Sequence, residues 1–354
     1  MHIKPIYING LSAISIQEPL STNGILSPTA YQQPHVRCIE PNFRDFFDPI
    51  ASRRMSKVIK RAIVTARRSL EDAGIQMPDA IVTGTGLGCV EDTEKFLEAM
   101  IRNEEKFLQP AYFIQSTHNT ISSQIAIHLG CNGYNNTYIH RGASFENGLM
   151  DVLLLFAKSE IGTALVTGND EMTPAYFTFL KRLGYWKDEV SDSLALVKNG
   201  CGEGSFAGEG SVSVVLSDKI SEHSYARIVG SDLFYRPQDT IVKRLQHFLA
   251  ENNISADEID WVLTGQNGDS ANDAVYQPVI DYFGKEKSGF YKHICGEFFT
   301  ASAFGLMVAS VFLKQRSVPA HATLNGVEKK PVNKMLIYNH FKNKDHSFIL
   351  LSSC

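Results

Sequence analysis

The stretch YIHRGASFENGLMDVLLLF (138–156) has the form of a strand end, a tight glycine turn and a long apolar helix. A side chain at the tip of such a turn faces the positive end of the helix dipole, where a reactive anion is stabilised. The tip residue here is Gly142, which has no side chain to react. Ser144 is a substitute nucleophile only if a base, His140 or His293, is aligned with it; otherwise it is a small packing residue. Glu297, after Gly296, reads either as a general base or, more simply, as a charge near a helix N-terminus. His140 and His293 both fall at strand ends and read as hydrogen-bonded structural histidines. No third ligand accompanies them, so no metal site is expected. GTGLG (84–88) lacks the G-x-G-x-x-G spacing and a following Lys-Ser, and reads as a tight strand-to-helix turn rather than a phosphate loop.

These residues need a large frame. At 354 residues the chain suits two domains or one double-layered unit, and 44% hydrophobic with 20% charged residues gives ample core. A formal charge of −4 offers no general case for nucleic acid. MHIKPIYING has no apolar run after a basic start, so no secretory leader is expected. Gly148 to Ala157 is too short to span a membrane and carries Asp151. The six cysteines (Cys38, Cys89, Cys131, Cys201, Cys295 and Cys354) lack metal-type or framework spacing and read as thiols of a cytoplasmic protein.

The frame repeats itself. Asp79–Gly84 and Asp260–Gly265 share D-x-x-x-T-G, each closing a helix-then-strand passage with a glycine turn. Tyr138-x-His140 matches Tyr291-x-His293, and Gly-Leu-Met recurs at 148–150 and 305–307. Two matches in the same order point to a duplicated α/β unit. The helix after Gly142 is apolar nearly all round and is expected at the centre of the molecule. Further strands are expected at Ala164–Thr167, Ser211–Leu216, Lys334–Tyr338 and Ser347–Ser352, the last two as a closing hairpin. In segment 52–74, Met55, Val58, Ile59, Ala62, Ile63, Ala66 and Leu70 make one apolar helical face, with basic residues around the rest.

Four segments together resemble the β-ketoacyl synthases of the thiolase-like superfamily over nearly the whole chain. HNTISSQIAIHLGCNGYNNTYIHRGASFENGLMDV (118–152) is similar to the family's passage into "T-A-C-x-S-x-x-N-A-I"; VTGNDEMTP (166–174) to its "AGGAE" turn; GSFAGEGSVSVVLSD (204–218) to "GFVxGEGAGxLVLE"; and SGFYKHICGEFFTASAFGLMVAS (288–310) to "STKSxxGHxxGAAGxxE". The resemblance implies a thiolase-like α/β fold, with duplicated βαβαβαββ halves (1–220 and 221–354) stacked as an α-β-α-β-α sandwich. It also implies a Cys-His-His set, which this sequence departs from. The cysteine falls on Gly142, the first histidine on Gly265 and the second on Glu297; only the lysine is kept, as Lys292. The family's "N-S-F-G-F-G-G-T-N" loop is replaced by NHFKNKDHS (339–347).

The resemblance therefore implies a degenerate subunit of chain-length-factor type. Its partners would be an active ketosynthase, in a heterodimer formed across Asn136, Thr137, Tyr138, Ile139 and His140, and an acyl carrier protein with its phosphopantetheine. The carrier would dock on Arg53, Arg54, Lys57, Lys60 and Arg61. Phe298, Phe299 and Phe304 would line or plug an acyl tunnel. Such pairs build polyketides, aryl polyenes and specialised fatty acids. Two alternatives stay open: a working condensing or acyl-transfer enzyme with displaced groups, and a carrier-binding scaffold, which could be a homodimer.

Overall fold

The computed structural model describes residues 5–50, 52–53, 55–200 and 202–354; Arg54 and Cys201 lie outside the described residues. The first half runs β1 (Ile6–Ile14), α1 (Lys57–Asp72), β2 (Ala80–Gly84), α2 (Val90–Arg102), α3 (Pro110–Ser116), α4 (Thr120–Leu129), β3 (Tyr134–Tyr138), α5 (Ser144–Ala157), β4 (Thr163–Asp170), α6 (Pro174–Arg182) and β5 (Gly210–Ser217). The second runs β6 (Ala226–Tyr235), α7 (Ile241–Glu251), β7 (Trp261–Thr264), α8 (Gln277–Phe283), β8 (Ser288–Phe290), α9 (Ala301–Gln315), β9 (Lys334–Phe341) and β10 (Asp345–Ser352).

Strand order makes the duplication explicit. The first half is ordered β3-β2-β4-β5-β1 and the second β8-β7-β9-β10-β6, the same pattern twice. In each half the second strand runs parallel to the third and fourth, and the rest pair antiparallel. A short antiparallel contact, Ile6–Ile8 against Ala226–Ile228, joins the halves into one ten-stranded sheet. The shared D-x-x-x-T-G supplies the same brace in both. Asp79 Oδ2 accepts the backbone N–H groups of Gly162 (2.9 Å) and Thr163 (2.8 Å) where β4 begins. Asp260 Oδ2 accepts those of Asn333 (2.8 Å) and Lys334 (3.0 Å) where β9 begins.

Strands covered on both faces must be apolar on both, and alternate residues sort between layers. Val82, Val166, Val214, Leu263 and Ile337 face one central core, shared with α5 and α9. Ile81, Leu165 and Val215 point outward to α1 and α4. Val262, Leu336 and Phe348 point outward to α7 and α8. This is the five-layer α-β-α-β-α stack.

Helix α5 packs in the central core as expected, but it is not enclosed all round. The fully enclosed central helix is α9, whose residues Ala301 to Leu313 are all buried. Helix α5 buries Phe145, Leu149, Val152 and Phe156 but leaves Leu154 47% exposed. Its flank lies beside β3, the last strand of its half, where the sheet stops.

Candidate functional site

The head of α5 is built around its missing side chain. Arg141–Ala143 make one 3₁₀ turn, with Arg141 at a φ of +48°. Ser144 is fully buried, accepts the His140 N–H at 2.7 Å and donates to the Arg141 carbonyl at 2.7 Å, so its hydroxyl closes the turn. A Cβ on Gly142 would come within 2.4 Å of Phe341 Cδ2 and 2.7 Å of its Cβ, and the Phe341 ring packs edge-on against Phe299 at 5.8 Å. At the far side, a Cβ on Gly86 would collide with Phe299, 2.2 Å from its Cδ2 and 2.5 Å from its Cβ. Two rings thus bridge two glycine turns.

The other two positions are filled as well. A Cβ on Gly265 would collide with Asn339 Oδ1 and the Tyr276 hydroxyl. Asn339 accepts from Tyr276 (3.4 Å) and Tyr291 (3.3 Å) and donates to Glu146 Oε1 at 3.1 Å, deep in the central core. Burial pushes the Glu146 carboxyl up. Glu297 accepts two contacts from Lys292 Nζ (3.0 and 2.8 Å) and one from Asn267 Nδ2 (2.6 Å). It precedes α9 by four residues, so its partner is the buried lysine and not a helix terminus. That replaces the dipole reading of this charge.

These groups flank a cavity of about 510 Å³, walled by Met172, Tyr176, Tyr185, Trp186, Phe298 and Phe299, with Lys292 and Glu297 also lining it. Asp170 and Glu171 lie on the same wall. Burial pushes Asp170 up to about 6 and Glu171 up to about 7. Asp170 Oδ2 accepts the Thr300 N–H (2.7 Å) while Oδ1 accepts the Gly86 N–H (2.8 Å), tying the β2 turn to the start of α9. His340 donates from Nε2 to the Asn272 carbonyl (3.0 Å) and accepts the Asn343 N–H at Nδ1 (3.2 Å). Burial holds it down to about 3, a neutral imidazole with both nitrogens engaged. The lining can bind, and its one serine hydroxyl among the described residues, Ser205, donates to the Asn267 carbonyl (2.6 Å). Among the described residues no group of three His, Cys, Asp or Glu side chains is placed to hold a metal.

Several expected site residues stand elsewhere. The His140 imidazole is 59% exposed and lies 3.4 Å from Asp345; only the backbone N–H of this residue reaches the Ser144 hydroxyl. His293 is buried, 3.0 Å from His321 Nδ1, and held well below the usual range by burial. Neither is placed as a base for Ser144. Phe298 and Phe299 line the cavity; Phe304 does not and belongs to the central core. Strand β3 ends at Tyr138, so Ile139 and His140 follow it. Arg61 is buried against Glu40 (2.9 Å) and Glu209 (2.9 Å) and is not a surface cation. Arg53 and Lys57 are exposed, and Lys60 lies over the Phe43 ring at 5.9 Å. Glu146, Asn339 and Phe341 were not anticipated. The signals in the sequence were the replaced loop 339–347, which holds Asn339 and Phe341, and the acidic Glu146 near the start of an apolar helix.

A family model described as "Beta-ketoacyl synthase, N-terminal domain" matches residues 22–220. The 3-oxoacyl-[acyl-carrier-protein] synthase 2 of Staphylococcus aureus (strain N315) is 24% identical over 205 residues, 53% of this chain and 49% of that protein. The chain thus spans about half the length of the curated relatives it matches. Among solved structures, the ishigamide ketosynthase/chain length factor superposes with a TM-score of 0.83 at 17% identity, covering 99% of both chains. A ketosynthase in complex with its chain length factor from Xenorhabdus doucetiae gives 0.80 at 14%, covering 99% and 98%. At these identities the structures speak for the fold.

Proposed function

Because the chain belongs to the β-ketoacyl synthase family, we propose that it is a non-condensing subunit of chain-length-factor type. In this reading it pairs with an active ketosynthase in polyketide, aryl polyene or specialised fatty acid assembly. The observation that carries the proposal is the Phe341 side chain packed so closely on Gly142 that a Cβ there would collide with it. Charge supports it. Decarboxylative condensation builds negative charge on a thioester enolate, which needs hydrogen-bond donors. Glu297 places a carboxylate in that neighbourhood instead.

An acyl carrier protein would meet the chain at the exposed Arg53 and Lys57. Ser56 at the start of α1 touches Cys89 (3.8 Å), and Leu87 and Val90 on either side of it line the cavity. The cavity walls, with the side-chain amides of Asn267, Asn272 and Asn343, suit a phosphopantetheine arm. The two halves of the proposal are tested together. The purified chain is incubated with malonyl- and acyl-carrier protein and analysed by intact mass. It is then co-expressed with an intact ketosynthase. No covalent acyl adduct and a 1:1 complex are expected. An adduct on any residue, or separate elution at micromolar concentration, would sink the reading.

A further inference from the structure

Three turns beside the mouth of the cavity each present a cation on left-handed backbone. Arg141 has a φ of +48°, Arg236 of +44° and Lys342 of +53°. Residues other than glycine adopt this region rarely, and such strain collects where binding makes use of it. The turns come from different parts of the chain. Arg141 precedes α5, Arg236 follows β6, and Lys342 stands in the turn between β9 and β10.

Their neighbours bring them together. Phe341 packs on Gly142, which sets Lys342 beside Arg141. The Arg236 N–H donates to the Lys344 carbonyl at 2.8 Å, which sets Arg236 beside the same turn. Lys342 is exposed yet lines the cavity, its Nζ 4.7 Å from the centre of the Tyr185 ring, so it marks the rim. Burial pushes the Tyr176 hydroxyl up while the charge of Arg141 opposes the shift, so Arg141 also stands near the cavity wall.

These charges are not neutralised within the chain. Arg141, Arg236, Lys342 and Lys344 are all exposed, and among the described residues none has a carboxylate within 4 Å. The acids nearby are engaged elsewhere. Asp345 lies 3.4 Å from His140, Asp239 3.9 Å from Lys243, and Asp232 accepts from Arg244 at 2.7 Å. Asp269, on the cavity wall, accepts the Ala271 N–H at 2.9 Å. Four free cations around one opening favour a ligand with several negative charges.

A flat ring completes the patch. Tyr235 is 58% exposed at the end of β6, opposite Asp345 in the strand register, with Arg236 5.2 Å from its centre. An open aromatic face beside a guanidinium is a platform for a nucleobase. A carrier protein presents its pantetheine arm through one phosphodiester, a single charge. Coenzyme A presents the same arm through a diphosphate, a 3′-phosphate and an adenine. The second set matches the cations and the ring.

Resting on the reading of the cavity as the berth of a pantetheine arm, we propose that the chain binds the acyl thioester of free coenzyme A. Its phosphates lie among Arg141, Arg236, Lys342 and Lys344, and its adenine stacks on Tyr235.

The test measures, by calorimetry on the full chain at low and high salt, the affinity for hexanoyl-coenzyme A, hexanoyl-pantetheine and adenosine 3′,5′-bisphosphate. The coenzyme A thioester should bind at least about tenfold more tightly than the pantetheine thioester, a margin that shrinks as salt screens the phosphates. Arg141→Asn with Lys342→Asn should remove most of the margin, and adding Arg236→Asn and Lys344→Gln the rest. Asparagine tolerates left-handed backbone, so the fourfold variant should keep the wild-type melting temperature. Tyr235→Ala should weaken the bisphosphate. Equal affinity for the two thioesters, or an unchanged margin in the fourfold variant, overturns the nucleotide site and leaves the arm reading standing. Hexanoyl-coenzyme A that binds no better than the bisphosphate keeps the nucleotide site and overturns the arm reading. If none of the three binds while acyl carrier protein does, the nucleotide site falls alone; if carrier protein fails as well, both fall.

Discussion

The side chain of Phe341 and the missing Cβ of Gly142 claim the same space. The glycine is therefore required by its neighbour, and restoring a thiol at 142 sets two groups in conflict. Gly142→Cys is expected to destabilise the chain by about 1–3 kcal/mol through overpacking and to form no acyl adduct. Gly142→Cys with Phe341→Ala should recover much of that stability, a coupling that thermal melts of the four chains in a double-mutant cycle would measure. A Gly142→Cys chain as stable as wild type would show that the ring moves freely.

The Lys292–Glu297 pair predicts an asymmetry. Lys292 has 5% of its side chain exposed and Glu297 22%. Removing one partner of a buried pair leaves an uncompensated charge, at a cost of about 3–5 kcal/mol. Glu297→Gln strands the more deeply buried charge, so it should cost more than Lys292→Met, whose orphaned carboxylate can still reach water. Lys292→Met with Glu297→Met should be the mildest of the three. Denaturant midpoints of the variants give the order.

The carboxyl of Glu171, pushed up by burial, fixes the sign of a pH effect. Between the unfolded value of 4.5 and the folded value of about 7, the native state holds more protons than the unfolded one. This group therefore subtracts stability as pH rises through that window and adds no further change above it. Buried neutral His340 works in the opposite sense, so the informative quantity is a difference. Glu171→Gln should gain on wild type from pH 4.5 to 7, by at most about 3 kcal/mol, and keep a constant margin at pH 8. A margin independent of pH would mean that Glu171 titrates in the folded chain as it does in the unfolded one.

The basic helix divides into two roles. Arg61→Ala leaves Glu209 buried without its guanidinium and should cost about 3–5 kcal/mol. Arg53→Glu and Lys57→Glu should shift the melt by no more than about 0.5 kcal/mol, as exposed substitutions do. They should weaken binding of an acidic carrier protein, with a smaller salt dependence than wild type. Equal loss of carrier binding in Arg61→Lys and Arg53→Glu, with the fold intact, would contradict the division.

What the sequence made legible follows from what periodicity encodes. The helix in segment 52–74 (observed as Lys57–Asp72), strands β4, β5, β9 and β10 and the hairpin closing the chain were readable because alternation and helical spacing record burial directly. Strands β1 and β6, which join the halves, were not picked out. IYINGLSAI carries no turn signal that separates it from loop, and its partners lie some 200 positions away. The resemblance directed attention to positions 142, 265 and 297, where the sequence has Gly, Gly and Glu. The groups that pack against them were not legible, since Phe341, Asn339 and Lys292 reach those points through the fold.

The repeated aspartates offer a test of the duplication as a physical device. Asp79 and Asp260 each hold two consecutive backbone N–H groups at the start of the fourth strand of their half. Hydrogen bonds to a charged group contribute about 1.5–3 kcal/mol each, less where the carboxylate is reached by solvent. Asp79→Ala and Asp260→Ala should therefore each destabilise by about 1–3 kcal/mol, while Asn, which keeps an acceptor oxygen, should cost less at either site. The three bonds from Gly162 and Thr163 hold the Asp79 carboxyl below its ordinary 3.8. Its contribution is present above that value and fades as pH falls through the lower folded one. The sites lie in different halves, so the double alanine variant should equal the sum of the singles within about 0.5 kcal/mol. A large coupling would mean that the halves communicate through the sheet and do not fold on parallel braces.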